Sequence, residues 1–283
     1  MGNRDSGEKT AMTVGQERTL DIPPFKGRIL PDYDEPTIVE ALKNCDVLLD
    51  NARILEESRN RVGVIALPAK DGRTTELVIK EFRTQGVNKW KSLVLPSKAQ
   101  KAWKGSLALV ERGFLTPLPV AYLERRTSFF LEQSYFIAEY VPNIEEVRGL
   151  FRNLTHEELF PLLRDLAKYL ARCSASGILH RDLSDGNVLV EKNSGEKSRF
   201  FLLDTNRIRC RKLVGTFKGI KSLIRLGIPS ELQRFFLAEY LLCSPVKRVH
   251  WFWYKLNKSC FTGYIRLKGL LKLKKLAQRL KIQ

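Results

Sequence analysis

Residues 180–190 read His-Arg-Asp-Leu-Ser-Asp-Gly-Asn-Val-Leu-Val, and the apolar run that begins at Phe200 carries a further carboxylate, Asp204. Asp182 and Asn187 share a short polar loop that leads into a buried-strand pattern. These groups suit phosphoryl transfer from ATP, which asks a protein for little covalent chemistry. It needs a carboxylate near the acceptor hydroxyl and hard oxygen ligands that hold Mg2+ against the phosphates. In this pattern Asp182 is the candidate catalytic carboxylate, orienting or deprotonating the hydroxyl. Asn187 and Asp204 are the candidate metal ligands, while His180 and Arg181 read as supports of the loop.

The spacing H-R-D-x-x-x-x-N with a strand-borne Asp downstream is the catalytic-loop signature of the protein-kinase-like fold. Such a site needs a small lobe that holds the nucleotide. Alternating apolar residues at 53–57, 62–67 and 76–82 predict three strands, the last two joined by a turn at Asp71-Gly72. Lys80, in Leu-Val-Ile-Lys-Glu-Phe, is placed to reach the α- and β-phosphates. The loop between the first two strands, 57–64, should cover the phosphates. It keeps only Gly63 of a glycine-rich pattern, with Arg59 and Arg61 as possible charge-assisted contacts.

A helix is predicted over 97–112, with Ser97 as N-cap and Gly113 as its stop. No acidic residue occurs between Phe82 and Val110, so the usual glutamate partner of the lysine is missing. Glu111 lies at the far end of the helix, and Gln100 is the alternative hydrogen-bonding partner of Lys80. Strands at 120–125 and 135–140 follow, and backbone groups of Glu139, Tyr140 and Val141 should meet the adenine edge. After Val141-Pro142-Asn143 the pattern turns mainly helical, at 144–154 and 157–176. The resulting expectation is an α+β bilobal fold. Residues 1–35 form a polar, flexible leader ending near a Pro23-Pro24 turn, 36–141 the β-rich N-lobe, and 142–283 the larger helical C-lobe. A helix at 37–50 opens the N-lobe.

The 283 residues carry 43% hydrophobic and 10% aromatic side chains, which excludes wholesale disorder. No apolar run is long enough for a transmembrane helix, and the polar N-terminus does not read as a secretory signal. Five scattered cysteines without a C-x-x-C pair read as reduced thiols of a cytosolic protein. Met1-Gly2 through Ser6 fits the short M-G-x-x-x-[ST] acylation pattern, which is frequent by chance.

Three stretches resemble a family: 97–103 (Ser-Lys-Ala-Gln-Lys-Ala-Trp), 107–119 (Leu-Ala-Leu-Val-Glu-Arg-Gly-Phe-Leu-Thr-Pro-Leu-Pro) and Leu123-Glu124-Arg125. They are similar to the bacterial lipopolysaccharide core kinases, which phosphorylate Kdo or heptose sugars of the inner core. The catalytic segment 180–190 and Leu203-Asp204-Thr205-Asn206-Arg207 are similar too, with Asp-x-Asn-Arg standing where protein kinases have Asp-Phe-Gly. The resemblance spans roughly 50–240. It implies ATP and Mg2+ as cofactors, Asp182 as the catalytic aspartate, Lys80 as the ATP lysine, and Asn187 with Asp204 as metal ligands.

Charge points to an anionic partner. The formal net charge is +18. No Asp or Glu lies between Asp204 and Glu231, and none from Tyr240 to the end. The aromatic run Trp251-Phe252-Trp253-Tyr254 and a leucine-rich helix at 267–280, with Lys268, Lys272, Lys275 and Arg279 on one stripe, suit an anionic bilayer surface. Competing readings of the same composition are a nucleic-acid face and a helix packed by its leucines with solvated lysines. The sequence thus predicts an ATP-dependent sugar kinase of the lipopolysaccharide inner core, peripheral on the cytoplasmic face of the inner membrane. The alternatives are an atypical serine/threonine kinase and a kinase-like binding module without catalysis.

Overall fold

The computed structural model describes residues 17–58, 60–68, 74–83, 92–191 and 198–270. Its N-terminal half is built on a seven-stranded antiparallel sheet: β1 (Arg18–Ile22), β2 (Phe25–Ile29), β3 (Arg53–Glu57), β4 (Asn60–Pro68), β5 (Thr74–Phe82), β6 (Pro119–Thr127) and β7 (Phe130–Glu139). The spatial order is β1-β2-β6-β7-β5-β4-β3. Strand alternation gives the sheet two different faces. Ile65, Leu67, Leu77, Ile79, Leu123 and Ile137 point one way and are covered by α1 (Pro36–Leu42) and α2 (Cys45–Asp50) through Ile38, Leu42, Cys45 and Leu49. Val62, Val78, Lys80, Phe136 and Ala138 point the other way and line a cleft.

The structure corrects the leader. Residues 18–29 form the hairpin β1–β2, and β2 pairs with β6 from Phe25↔Arg125 to Ile29↔Ala121. Leu20, Ile22, Phe25 and Ile29 are buried at alternating positions. That alternation was present in the sequence but hidden among polar neighbours. Residues 1–16 lie outside the described residues, as do the Asp71-Gly72 turn, Arg59 and everything beyond Leu270. The helix expected at 37–50 is two helices, separated at Lys43-Asn44.

Helix α3 (Lys98–Val110) follows its sequence signals. The Ser97 hydroxyl accepts from the Gln100 N–H at 2.9 Å, and Gly113 takes a positive φ of +72° after the helix. Trp103, Ala99 and Ala102 seat α3 against Phe82, Leu30 and Tyr122.

The C-terminal half packs around α5 (His156–Ala175), whose Leu159, Leu162, Leu163, Leu166 and Leu170 form a buried helical stripe. A capping box closes its start: Thr155 N–H donates to Glu158 Oε2 at 2.8 Å, and Glu158 N–H to the Thr155 hydroxyl at 3.4 Å. The expected helix at 144–154 is corrected in its first turn. Ile144–Glu146 is strand β8, pairing with β10 (Val188–Glu191), and only α4 (Val147–Asn153) is helical. A positive φ at Asn143 and the waiting edge of β10 outweigh local helix propensity there. Strand β11 (Phe200–Leu202) completes that small sheet, and β9 (Ile178–His180) pairs with β12 (Ile208–Cys210). Helices α6 (Thr216–Ser222), α7 (Gln233–Leu241) and α8 (Arg248–Leu270) close the lobe.

Candidate active site

Two short antiparallel strand pairs hold the polar loop. β9 delivers the chain to Arg181-Asp182, and β10 begins directly after Asn187. The Asn187 side chain donates from Nδ2 to the Asp182 carbonyl at 2.8 Å, and the Leu203 N–H donates to the Asn187 carbonyl at 2.9 Å. Thus Asp182, Asn187 and the strand end before Asp204 are tied together by hydrogen bonds within one small volume. His180 completes the tie. Its Nδ1 accepts from the Asp182 N–H at 3.2 Å, so its Nε2 carries the proton given to the Leu203 carbonyl at 2.9 Å. Burial pushes the His180 pKa down from the ordinary imidazole range, against the opposing pull of the Leu203 carbonyl, Asp204 and Asp182. A neutral, single-tautomer imidazole is what both bonds require.

Asp204 takes a left-handed backbone, φ 50°, at the end of β11, a conformation that Asp tolerates better than most residues. The carboxylate pairs with the ammonium of Lys80, which reaches across from β5. Burial works against the Asp204 charge, but Lys80, with smaller help from His180 and Arg207, holds its pKa below the usual range. Lys80 and Asp204 therefore meet from opposite walls of a cleft of about 480 Å³, a pairing the sequence reading did not foresee. Val62, Val78, Phe136, Ala138 and Leu189 give that cleft its apolar lining, and Glu139, Tyr140, Val141 and Asn187 border it.

The backbone at 139–141 is only partly engaged. Glu139 N–H donates to Leu118 O at 2.9 Å and Tyr140 N–H to Glu76 O at 3.0 Å. Val141 N–H has no backbone partner among the described residues. The Glu139 carboxylate accepts from the Tyr33 hydroxyl.

Four residues lie away from the roles considered for them. Gly63 does not border the cleft; a Cβ there would lie 2.6 Å from the Ala52 Cβ and 3.0 Å from Leu49, so its bareness lets β4 approach α2. Alternation decides this, because Val62 occupies the cleft face and Gly63 must take the other. Arg61 shares that outer face and pairs with Asp50 at 2.6 Å. Gln100 donates to the Tyr122 hydroxyl at 3.4 Å, while the Lys80 ammonium donates to Asp204, and Glu111 pairs with Arg112 at 3.7 Å at the far end of α3.

The structure adds residues that sequence reasoning missed. Arg225 NH1 lies 2.8 Å from Asp182 Oδ1, and Arg207 Nε lies 3.8 Å from Oδ2, so two guanidinium groups orient the candidate catalytic carboxylate. Arg225 also sits over the Phe261 ring at 5.1 Å, which links α8 to the site. The acid-free, basic run after Asp204 was the available signal. A second addition is the seat of α3. Gly105 approaches Thr205 so closely that a Cβ would fall 2.1 Å from its carbonyl oxygen. The buried Thr205 hydroxyl donates to the Ala102 carbonyl at 3.0 Å and lies 2.9 Å from the Ser106 hydroxyl. Where protein kinases couple helix and site by a lysine–glutamate pair, backbone contact and hydroxyls join them here. A glycine inside a helical pattern was the sequence sign of that approach.

Asp204 and the Asn187 amide oxygen are hard donors, and Mg2+ is ordinarily held by one or two such groups plus substrate phosphates. No cluster of three or more His, Cys, Asp or Glu able to hold a metal occurs among the described residues. The Asn187 and Asp204 oxygens would suit an ion that is bound together with a polyphosphate.

Comparison with known proteins agrees with this geometry. Residues 48–235 match the family described as lipopolysaccharide kinase (Kdo/WaaP). No curated protein matches the chain significantly. Among solved structures, one titled as WaaP in complex with acyl carrier protein superposes with a TM-score of 0.50 at 17% identity, covering 82% of this chain and 90% of that one. At that identity the likeness speaks for the fold, a kinase-like bilobal one. The match to the family spans well over half of the chain and includes Lys80, Asp182, Asn187 and Asp204, so the protein belongs to the lipopolysaccharide kinase (Kdo/WaaP) family and is a phosphotransferase.

Proposed function

We propose that the protein transfers the γ-phosphoryl group of ATP to a sugar hydroxyl, of Kdo or heptose, in the lipopolysaccharide inner core. The observation that carries the reading is the convergence of Lys80, Asn187 and Asp204 on one cleft, with Asp182 held beside it by the hydrogen bond from the Asn187 side chain to its carbonyl. The nucleotide supplies the phosphoryl group, and a magnesium ion held by Asn187 and Asp204 would screen its charge. Lys80 turns its ammonium from Asp204 toward the phosphates. The Val141 N–H, without a backbone partner among the described residues, is suited to the adenine edge, above the apolar floor of Val62, Val78 and Ala138. Asp182, oriented by Arg207 and Arg225, accepts the proton of the attacking hydroxyl.

Placement at the cytoplasmic face of the inner membrane is part of the proposal. No helix among the described residues is long and apolar enough to cross a membrane. Peripheral contact through α8 is supported by exposed Val249, Phe252 and Leu256, which follow helical spacing beside Lys255. The aromatic run contributes less to that surface than its composition suggested. Tyr254 is buried, Trp251 stacks on it at 5.8 Å, and Trp253 Nε1 donates to the Phe217 carbonyl at 2.9 Å.

Mass spectrometry of core oligosaccharide from cells with and without the gene tests the proposal, together with transfer assays of purified Asp182→Asn. Loss of one phosphate in the deletion, restored by the wild type and not by the variant, is expected. An unchanged core, or near-normal transfer by Asp182→Asn, refutes it.

A further inference from the structure

A second cavity, of about 150 Å³, lies on the other side of the Asp204–Arg207 turn and is lined by Lys98, Lys101, Arg181, Asn206, Arg207 and Arg209. That volume is well above the ~10–15 Å³ needed to admit one water. Five of its six lining residues are cationic, and no carboxylate lines it among the described residues. They come from four separate pieces of chain: the first turn of α3, the residue before Asp182, the turn after Asp204, and β12. Such convergence requires the fold, since nothing local brings Lys98 to Arg209. Burial and then the charges of Arg209 and Arg207 lower the Lys101 pKa, as expected where cations are gathered close together.

Two residues connect this cavity to the chemistry. Asn206 lines both it and the main cleft. Arg207 reaches Asp182 Oδ2 at 3.8 Å, and Arg181 N–H donates to the Arg207 carbonyl at 3.2 Å. The amino end of α3 adds its helix-dipole charge at the same place. A phosphate or carboxylate seated here would lie one arginine away from the hydroxyl-activating carboxylate. Guanidinium groups suit either anion by paired N–H donation.

We propose that this pocket is an anion subsite for the acceptor: it seats a phosphate- or carboxylate-bearing substituent while a neighbouring hydroxyl is presented to Asp182. The acceptor part rests on the function proposed above; the anion-binding part does not. The pocket then acts as a ruler, fixing which hydroxyl faces Asp182 by its distance from an existing negative group.

The test uses the full-length protein and the double variant Lys101→Gln, Arg209→Gln, chosen because neither side chain borders the nucleotide cleft. With the cleft saturated by a non-hydrolysable ATP analogue and Mg2+, inorganic phosphate should raise the wild-type melting temperature saturably. In the double variant, whose melting without phosphate should match wild type, that rise should vanish. In transfer assays with an anion-bearing core acceptor, the variant should show an acceptor KM about tenfold higher, with ATP KM unchanged. An acceptor stripped of its phosphates should narrow the gap between the two proteins. Absence of a variant-sensitive phosphate shift overturns the subsite. A phosphate shift with unchanged acceptor KM overturns the acceptor assignment and leaves free phosphate as the ligand. Failure of the wild type to phosphorylate any core acceptor sinks the functional proposal instead, and the phosphate arm still decides the pocket.

Discussion

Replacing Gly105 by alanine sets two opposing effects against each other, and the structure says which prevails. Alanine in a helix interior is favoured over glycine by about 1 kcal/mol, so the change should stabilise α3 by itself. At Gly105, however, the added Cβ would sit 2.1 Å from the Thr205 carbonyl oxygen, 2.9 Å from its carbon and 3.3 Å from its Cβ. The first two contacts are backbone, so no side-chain rotation relieves them. Either α3 or the turn carrying Asp204 must move by about an ångström. Overpacking of this kind costs ~1–3 kcal/mol, so net stability should fall by roughly 0–2 kcal/mol. Activity should suffer more, because Asp204 directly precedes Thr205 and a 1 Å misplacement of a catalytic group can cost ~100-fold. Gly263, inside α8 with nothing within 4 Å of its virtual Cβ, supplies the control. Gly263→Ala should gain up to about 1 kcal/mol and keep its rate. Chemical denaturation and steady-state transfer assays on the two variants decide the matter. If Gly105→Ala were as stabilising as Gly263→Ala and retained activity within about threefold, the argued coupling of α3 to the turn carrying Asp204 would be wrong.

Further outcomes follow from the same contacts. Thr205→Val keeps the shape but removes both hydroxyl bonds in a buried setting, and should lower unfolding free energy by ~1–3 kcal/mol in urea titration; a loss under 0.5 kcal/mol would show those bonds to be idle. Arg225→Ala frees Asp182 from its 2.8 Å partner and should lower kcat about tenfold while ATP KM stays put; a changed ATP KM with normal kcat would contradict the orienting role. His180 is held neutral, its folded pKa lying below the unfolded value of about 6.5. The unfolded chain therefore binds more protons on acidification. The stability contributed by His180 is full above about pH 6.5 and is lost as pH falls toward the folded pKa. Melting curves across that window, compared between wild type and His180→Asn, should show a shallower acid dependence in the variant; a histidine that titrates at or above 6.5 by NMR refutes the assignment.

Much of the site was legible in the chain because its parts are short and local. Asp182, Asn187 and Asp204 sit in or beside tight turns whose partner strands announce themselves as apolar runs, and Ser97 and Gly113 bracket α3 by capping chemistry alone. The sequence by itself determined the phosphotransferase class and most of the elements around the site, and it singled out Lys80, Asn187 and Asp204, which the fold brings to one cleft. Tertiary structure decided what depends on which surfaces meet. Strand parity sent Gly63 and Arg61 to the face opposite the cleft and left Val62 on it, a distinction that register alone settles. Pairing with β6 and β10 drew residues 18–29 and 144–146 into sheets, because an open strand edge gains hydrogen bonds that local propensity does not count. The lack of a helix glutamate looked like a gap in the machinery. In three dimensions it is filled by Gly105, Ser106 and Thr205 between α3 and the turn, and by Asp204 at Lys80. Likewise Arg225 lies far from Asp182 along the chain, and only the fold brings its guanidinium, with that of Arg207, to the Asp182 carboxylate.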